Sequence, residues 1–352
     1  MTILVTGAAG FIGSNFVLDW FDQSTEDVVS LDLLTYAGNL ENLSSLSQNS
    51  HHHFVHGNIG DRELVLELLK KYQVRVIVNF AAESHVDRSI HKSKDFIETN
   101  IVGTYNLLES ARDYWNDLDK NLKQDFRFLH ISSDEVYGSL NSSDHPSSEK
   151  DPYKPNSPYS ASKAGSDHLV RAWFQTYKLP TLTVNSANNY GPYQFPEKLI
   201  PLCILNALKD KHLPIYGDGK QIRDWLYVKD HCAAIREILI NGKIGETYNV
   251  GGRNEKTNLE VVEMLCKILD EIKPKSNGKS YSDQITFVKN RPGHDRRYAI
   301  DASKLESELN WQPQESFEAG LRKTVLWYLE NEIWMNYIVS GEYQCWIQKQ
   351  YS

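Results

Sequence analysis

The chain has 352 residues, 40% of them apolar and 24% charged, with a formal net charge of −8. Such a chain buries one large core or two smaller ones, and the lack of a basic excess excludes general nucleic-acid binding. No apolar run approaches the ~18 residues of a membrane helix, and the cysteines Cys203, Cys232, Cys266 and Cys345 lack zinc-like spacing.

In chain order, strand patterns fall at Thr2–Thr6, Val28–Asp32, His53–His56, Val74–Asn79, Phe126–Ser132 and Thr181–Ala187. Helical patterns lie between most of them, at Ile12–Phe21, Asp61–Lys71, Asp95–Tyr114 and Pro158–Tyr177. The Asp95 segment has Phe96, Ile97, Ile101, Tyr105 and Leu108 at one-face helical spacing. Parallel strands need crossover helices, so the alternation predicts an α/β fold, a Rossmann-type doubly wound parallel sheet. The tract His51-His52-His53 reads as a solvated turn rather than a metal site, and the Ser-rich stretch Ser139–Ser148 as a mobile loop. Beyond about residue 188, turn signals such as Gly191-Pro192 and Gly217-Asp218-Gly219 become frequent. Helices are expected at Lys198–Lys209, Val228–Ile240 and Leu259–Leu269, mixed with short strands. The division expected is a dinucleotide-binding domain over 1–187 and a smaller C-terminal α/β substrate lobe over 188–352, with one strand returning to the main sheet. The tail with Trp334, Tyr343 and Trp346 is expected to pack on that lobe. The chain enters strand-like Thr2-Ile3-Leu4-Val5 with no leader-like segment, and scattered thiols suggest a reducing compartment, so a cytoplasmic protein is expected.

The first strand runs into Thr6-Gly7-Ala8-Ala9-Gly10-Phe11-Ile12-Gly13, which opens the first helix. Glycines spaced this way permit a tight strand-to-helix turn, close approach of a pyrophosphate to backbone amides, and close helix–strand packing. The second strand ends in Asp32, whose carboxylate suits a ribose diol and repels a 2′-phosphate, so NAD is expected rather than NADP.

Tyr159-Ser160-Ala161-Ser162-Lys163 begins a helix, with Tyr and Lys one turn apart on one face. A phenol near pKa 10 needs about 4 kcal/mol of differential stabilisation to serve as a base at neutral pH; Lys163 and a positive nicotinamide are expected to supply it. The fifth strand ends in Ser132-Ser133-Asp134-Glu135-Val136-Tyr137-Gly138. Ligands of open α/β sheets bind beyond the strands' carboxyl ends, so Asp134 and Glu135 are a candidate acid and base. Close like charges disfavour joint ionisation, which suits a reaction needing one neutral and one ionised carboxyl.

Taken together, the fingerprint, the Ser132–Gly138 run and the Tyr159/Lys163 pair resemble the extended short-chain dehydrogenase/reductases, and within them the nucleotide-sugar 4,6-dehydratases. Further matching runs are Ala81–Ser89, Asn188–Leu199, Arg223-Asp224-Trp225 and Arg291–Arg297. The resemblance implies dehydration of dTDP-glucose to the 4-keto-6-deoxy sugar, a precursor of rhamnose and other deoxysugars, by a homodimer built on helices that include Asp95–Tyr114. It assigns catalysis to Ser133, Asp134, Glu135, Tyr159 and Lys163, with Tyr159 as base at O4, Glu135 as base at C5, Asp134 as acid at O6 and Ser133 bound to O4. NAD contacts are implied for Gly7, Gly10, Phe11, Ile12, Gly13, Asp32, Asn58, Ile59, Ala81, Ala82, Thr99, Tyr159, Lys163 and Asn189. Substrate contacts are implied for Ser84, Arg88, Asn188, Lys198, Leu199, Pro214, Tyr216, Arg223, Asn258, Arg291 and His294, and no metal is implied. Guanidinium donors are independently suited to a diphosphate.

There are departures from the family pattern. Ser133 stands where Thr is usual, so the rotamer-restricting methyl is missing. Asn58 replaces an Asp that contacts adenine, and Ser186 and Ala187 replace Cys and Ser. A nucleotide-sugar 4-epimerase would use the same fingerprint and Tyr/Lys pair but needs no acid at O6 or base at C5. A UDP-, CDP- or GDP-hexose would suit the same chemistry. A dinucleotide-binding protein without activity would be expected to lose Tyr159, Lys163 or the acidic pair, and all are present.

Overall fold

The computed structural model describes residues 2–339. Its strands are β1 (Thr2–Thr6), β2 (Asp27–Asp32), β3 (His52–His56), β4 (Val74–Asn79), β5 (Arg127–Ser133), β6 (Thr181–Ser186), β7 (Asn188–Tyr190), β8 (Leu213–Tyr216), β9 (Ile222–Tyr227), β10 (Thr247–Val250), β11 (Glu255–Thr257) and β12 (Ile285–Val288). Seven of them form one sheet in the order β3-β2-β1-β4-β5-β6-β10, with every pair parallel. The order reverses between β1 and β4, which opens a crevice at their carboxyl ends.

Strand side chains alternate between faces, so neighbouring residues enter different cores. Ile3 and Val5 join Phe16, Val17 and Trp20 of the helix Phe11–Gln23 on one face. Leu4 faces Val65, Leu68 and Leu69 of the helix Arg62–Lys71 and Leu107 and Leu108 of the helix Thr104–Asp117. Each such fully buried side chain contributes about 1.5–3 kcal/mol relative to exposure.

Residues beyond β6 build two small sheets, β11-β9-β7 and β12-β8. The helices Leu199–Leu208, Asn258–Ile272 and Phe317–Glu330 pack with them around a separate core that includes Tyr190, Trp225 and Phe317. Between these pieces, the helix Val228–Asn241 places Cys232, Ile235 and Ile238 in the core under β1, and β10 pairs with β6. An Arg236–Asp19 ion pair ties that helix to Phe11–Gln23. The second half of the chain thus contributes to the large sheet.

Three local expectations are corrected. The Asp95–Tyr114 segment is a short helix at Ser93–Phe96, a π-helical stretch over Ile97–Gly103 and a helix from Thr104. The wide turns let the buried Asn100 bind the backbone of Glu83 in both directions (2.9 and 3.0 Å) and donate to Ser162 Oγ at 2.8 Å, bonds that a 3.6-residue pattern does not reveal. His52 joins edge strand β3 rather than the expected turn and binds Ser30 Oγ, while His53, in the expected strand, packs against the Tyr72 ring. The Ser139–Ser148 stretch is anchored: the Arg297 guanidinium donates to the carbonyls of Asn141 and Asp144, and Leu140 N donates to Arg297 O. Trp334 is buried in the second core and donates to Asn42 Oδ1 at 2.7 Å; Tyr343, Cys345 and Trp346 lie outside the described residues.

Candidate active site

Two adjoining cavities lie over the sheet's carboxyl edge, and Gln194, Glu197 and Lys198 line both. The first is lined by Gly7, Gly10, Phe11, Ile12, Gly13, Asp32, Asn58, Ile59, Ala81, Ala82, Thr99, Tyr159 and Lys163, together with Ser84. The residues fit a dinucleotide. Gly7 has φ +64°, and a Cβ there would lie 2.7 Å from Ala81 N; one at Gly13 would lie 2.2 Å from Gly7 O. The helix Phe11–Gln23 starts at Gly10 without a side-chain cap, leaving its first amides for an anion. Asp32 accepts from Ala9 N at 2.9 Å and Leu34 N at 2.8 Å, and each oxygen keeps a second lone pair. Asn58 Oδ1 is engaged by Gly60 N at 2.7 Å, so this amide oxygen has one acceptor position left for an adenine amino group.

Asn189 is placed differently from the other cofactor candidates. It lines the second cavity, donates to Ala187 O at 3.0 Å and binds the buried His231 ring at 2.9 Å. Burial brings that imidazole down to about 3.

The second cavity gathers Glu135, Asn188, Lys198, Leu199, Pro214, Tyr216, Arg223, Asn258, Arg291 and His294 from distant parts of the chain. Arg291 Nη1 is held by Asp87 Oδ1 at 2.7 Å, and Tyr216 OH donates to Asp87 Oδ2 at 3.2 Å. Arg223 is buried, donates to the carbonyls of Ile222 and Asp295, and stacks on Tyr298 with 4.5 Å to the ring centroid. Burial, then the Arg291 and Arg223 charges, bring the His294 imidazole down to about 3. Lys198 Nζ donates to Ser84 O at 2.9 Å. Asn188 Oδ1 is buried without a hydrogen-bond partner, so it is free to meet a donor. Arg88 lines neither cavity; its guanidinium lies 3.4 Å from the Tyr36 ring centroid and beside Glu197.

Tyr159 and Lys163 sit on the buried face of the helix Pro158–Tyr177, which Ser157 caps in a box with Ser160 and Pro158 initiates. Ser133 ends β5, and its Oγ accepts from Glu135 N at 3.2 Å, starting a single 3-10 turn at Asp134–Tyr137. That turn sends the two carboxyls into different surroundings. Asp134 is 3% exposed, and its Oδ2 has no hydrogen-bond partner. Burial, then Glu135 and Asp224, hold its carboxyl well above the ordinary range, against Arg223. Burial also raises Glu135, but Arg291, Arg223 and Lys198 oppose it.

One expectation about Tyr159 is corrected. Lys163 Nζ donates to Ile131 O at 2.6 Å, and burial brings its ammonium down to about 8, against the charge of Asp167. Burial and then the Glu135 charge push the Tyr159 phenol above its ordinary value, with a hydrogen bond to Ser133 opposing. The protein's own groups therefore do not draw the phenol down.

Several lining residues carried no distinguishing signal in the sequence. Glu197 is buried at the junction of the cavities, accepts from Tyr36 OH at 3.1 Å, and is raised to about 7 by burial against Lys198 and Arg88. Asp87, which orients Arg291, and Gln194 lie inside the matching runs, but residue type alone gave neither a role.

The model of the GDP-mannose 4,6 dehydratase family matches residues 4–324. A dTDP-glucose 4,6-dehydratase of Xanthomonas campestris pv. campestris is 58% identical over 343 residues, covering 97% of each chain. One of Salmonella typhimurium is 56% identical over 359 residues, covering 100% of this chain and 99% of that one. The chain belongs to the dTDP-glucose 4,6-dehydratase family. Among solved structures, that of the family's Bacillus anthracis member in complex with NAD is 45% identical with a TM-score of 0.85, covering 96% of this chain and 99% of the other. Family membership agrees with the fold, the glycine cradle and the paired carboxyls found here, and makes the chain an NAD-dependent hydro-lyase.

Proposed function

We propose that the protein converts dTDP-glucose to dTDP-4-keto-6-deoxyglucose, with residues 1–187 serving the dinucleotide and 188–352 the nucleotide-sugar. The observation that carries this reading is the split between neighbouring carboxyls beside Tyr159: Asp134 sealed without a partner at Oδ2 and raised by burial, Glu135 opposed by the charges of Arg291, Arg223 and Lys198. An elimination needs one neutral acid and one ionised base, whereas a 4-epimerase needs neither. NAD, when bound, supplies the hydride acceptor and donor, and its positive charge favours the Tyr159 phenolate.

The chain's own residues divide the rest of the work. Tyr159 takes the O4 proton, Lys163 orients the cofactor ribose, and Ser133 hydrogen-bonds O4. The 4-ketone acidifies C5, where Glu135 removes the proton and later returns one. Asp134 protonates O6 as water leaves. Arg223, Arg291 and Lys198 hold the diphosphate as charge-assisted donors; Ser84, Asn188, Leu199, Pro214, Tyr216, Asn258 and His294 complete the substrate contacts. Purified protein incubated with dTDP-glucose is expected to yield a product lighter by one water. Inversion at C4 without loss of mass would favour the epimerase, and turnover of UDP-, CDP- or GDP-glucose in preference would reassign the base.

The working form is a homodimer in the cytoplasm. Ile97, Val102 and Tyr105 expose apolar surface along one helical stretch, and Tyr177 exposes more nearby in the fold's helical layer. Cys203, Cys232 and Cys266 are free and buried, as suits a reducing compartment. Light scattering is expected to give twice the mass of the 40.4 kDa chain, and a Tyr105→Glu variant to give one. A wild-type monomer would contradict the dimer.

A further inference from the structure

Strand β5 changes character along the face that packs under the helix Pro158–Tyr177. Phe128 is buried there with Val170 and Trp173 of that helix, while Leu129 and Ile131 enter the core on the opposite face. The two-residue period of a strand puts His130 and Ser132 on the helix side after Phe128. A parallel strand covered on both faces ordinarily carries aliphatic residues at such positions. His130 and Ser132 are both buried, so polar groups replace that packing just where the strand approaches Ser133, Asp134 and Glu135.

Three successive residues of β5 are bound by the helix. His130 Nε2 meets Ser166 Oγ at 3.1 Å and lies 3.4 Å from Asp167 Oδ1. Ile131 O accepts from Lys163 Nζ, and Ser132 Oγ donates to Asp167 Oδ2 at 2.8 Å. Asn79 Nδ2 donates to His130 Nδ1 at 3.1 Å, which leaves the imidazole proton on Nε2, facing the helix. Thr6 Oγ1 donates to Asn79 Oδ1 at 2.6 Å and accepts from Ala81 N at 3.3 Å. The cluster thus joins the ends of β1, β4 and β5 to the helix that carries Tyr159. Aliphatic packing would be as stable as a buried polar cluster of this kind. What the bonds add is alignment, because a small slide of the helix along the strand would break them together.

We propose that Asp167 is a positioning residue that, through Ser132 and His130, sets where the Asp134-Glu135 turn stands relative to Tyr159. This rests on the dehydratase reading given above. Asp167 is buried and lines neither cavity, so it acts through the residues it holds. It shares the buried face of its helix with Tyr159 and Lys163, and Ser132 directly precedes Ser133. The Ser132–Asp167 bond therefore ties together the two elements that the reaction must align. Oxidation at C4 uses Tyr159 and the cofactor, which the helix and the glycine turn hold. Elimination needs the carboxyls at the strand end to reach C5 and O6 of the same ring, so it carries most of the effect.

The test compares wild type with Ser132→Ala, Ser132→Thr, Asp167→Asn and the double variant Ser132→Ala/Asp167→Asn in single turnovers of dTDP-glucose. Stopped-flow absorbance follows reduced nicotinamide, and rapid quench with mass analysis follows loss of water. Ser132→Ala and Asp167→Asn are expected to keep cofactor reduction and to slow loss of water by about tenfold to a hundredfold, as for a misplaced reacting group. Reduced cofactor then accumulates beyond the wild-type level. Ser132→Thr keeps the hydroxyl and is expected to retain most of the rate. The double variant is expected to be no slower than the slower single variant, because both changes act on one bond. Unchanged loss of water in Ser132→Ala, equal slowing of both phases, or multiplied effects in the double variant would overturn the proposal. If Asp167→Asn does not fold, Ser132→Ala against Ser132→Thr decides alone. Failure of the dehydratase reading is distinct: wild type would then form no product lighter by one water.

Discussion

Replacing Tyr159 by Phe is expected to lower kcat by about 10³-fold or more, equivalent to roughly 4 kcal/mol of barrier. The substitution removes only the hydroxyl. The ring stays edge-on to Phe96, with centroids 6.3 Å apart, and keeps its small cluster with Phe96 and Val86. The fold and the bound cofactor are therefore expected to survive, while C4 is no longer oxidised because nothing accepts the O4 proton. Stopped-flow absorbance of reduced nicotinamide would show no transient after mixing with dTDP-glucose. A transient at the wild-type rate would remove Tyr159 from the chemistry.

The second large effect separates the neighbouring carboxyls. Glu135→Gln is expected still to reduce the cofactor but to lose exchange of the C5 proton with solvent, and with it about 10²- to 10⁴-fold in product formation. Asp134→Asn is expected to keep C5 exchange and lose expulsion of O6. The distinction follows from surroundings rather than residue type. Glu135 faces three cations, whereas Asp134 is sealed beside Glu135 and Asp224, with Arg223 opposing them. Deuterium exchange at C5, followed by mass analysis in both variants, reads the difference. Undiminished exchange in Glu135→Gln would reassign the base.

The halves of the site differ in how far they could be read from sequence. The glycine cradle and the Tyr159/Lys163 pair are local: a strand, a turn and one helical turn bring those residues together, and their spacing is visible in the chain. The β/α alternation was legible because buried parallel strands and crossover helices have different periods. The substrate cavity is not local. Lys198, Arg223 and Arg291 meet Glu135 only after the second lobe folds over the strand ends, and family resemblance rather than spacing had grouped them.

Other features depend on contacts that leave no periodic trace. The π-helical stretch that frees Asn100 reads as ordinary helix in an apolar pattern. The Ser139–Ser148 stretch has loop composition but is held by the distant Arg297. The order of ionisation in Asp134-Glu135 is invisible in two adjacent acids, because burial and remote cations decide it. Lys163 was expected to act on the Tyr159 phenol, yet its ammonium is drawn to the Ile131 carbonyl. That orientation comes from packing of the helix on β5, which sequence spacing does not specify.

The central claim is that one sugar carbon is oxidised so that another can be reduced within the same molecule. Incubation with dTDP-glucose carrying deuterium at C4 tests it most directly. The label is expected at C6 of the 4-keto-6-deoxy product, retained even when unlabelled substrate is present in excess. Label left at C4, lost to solvent or passed to other sugar molecules would contradict the account.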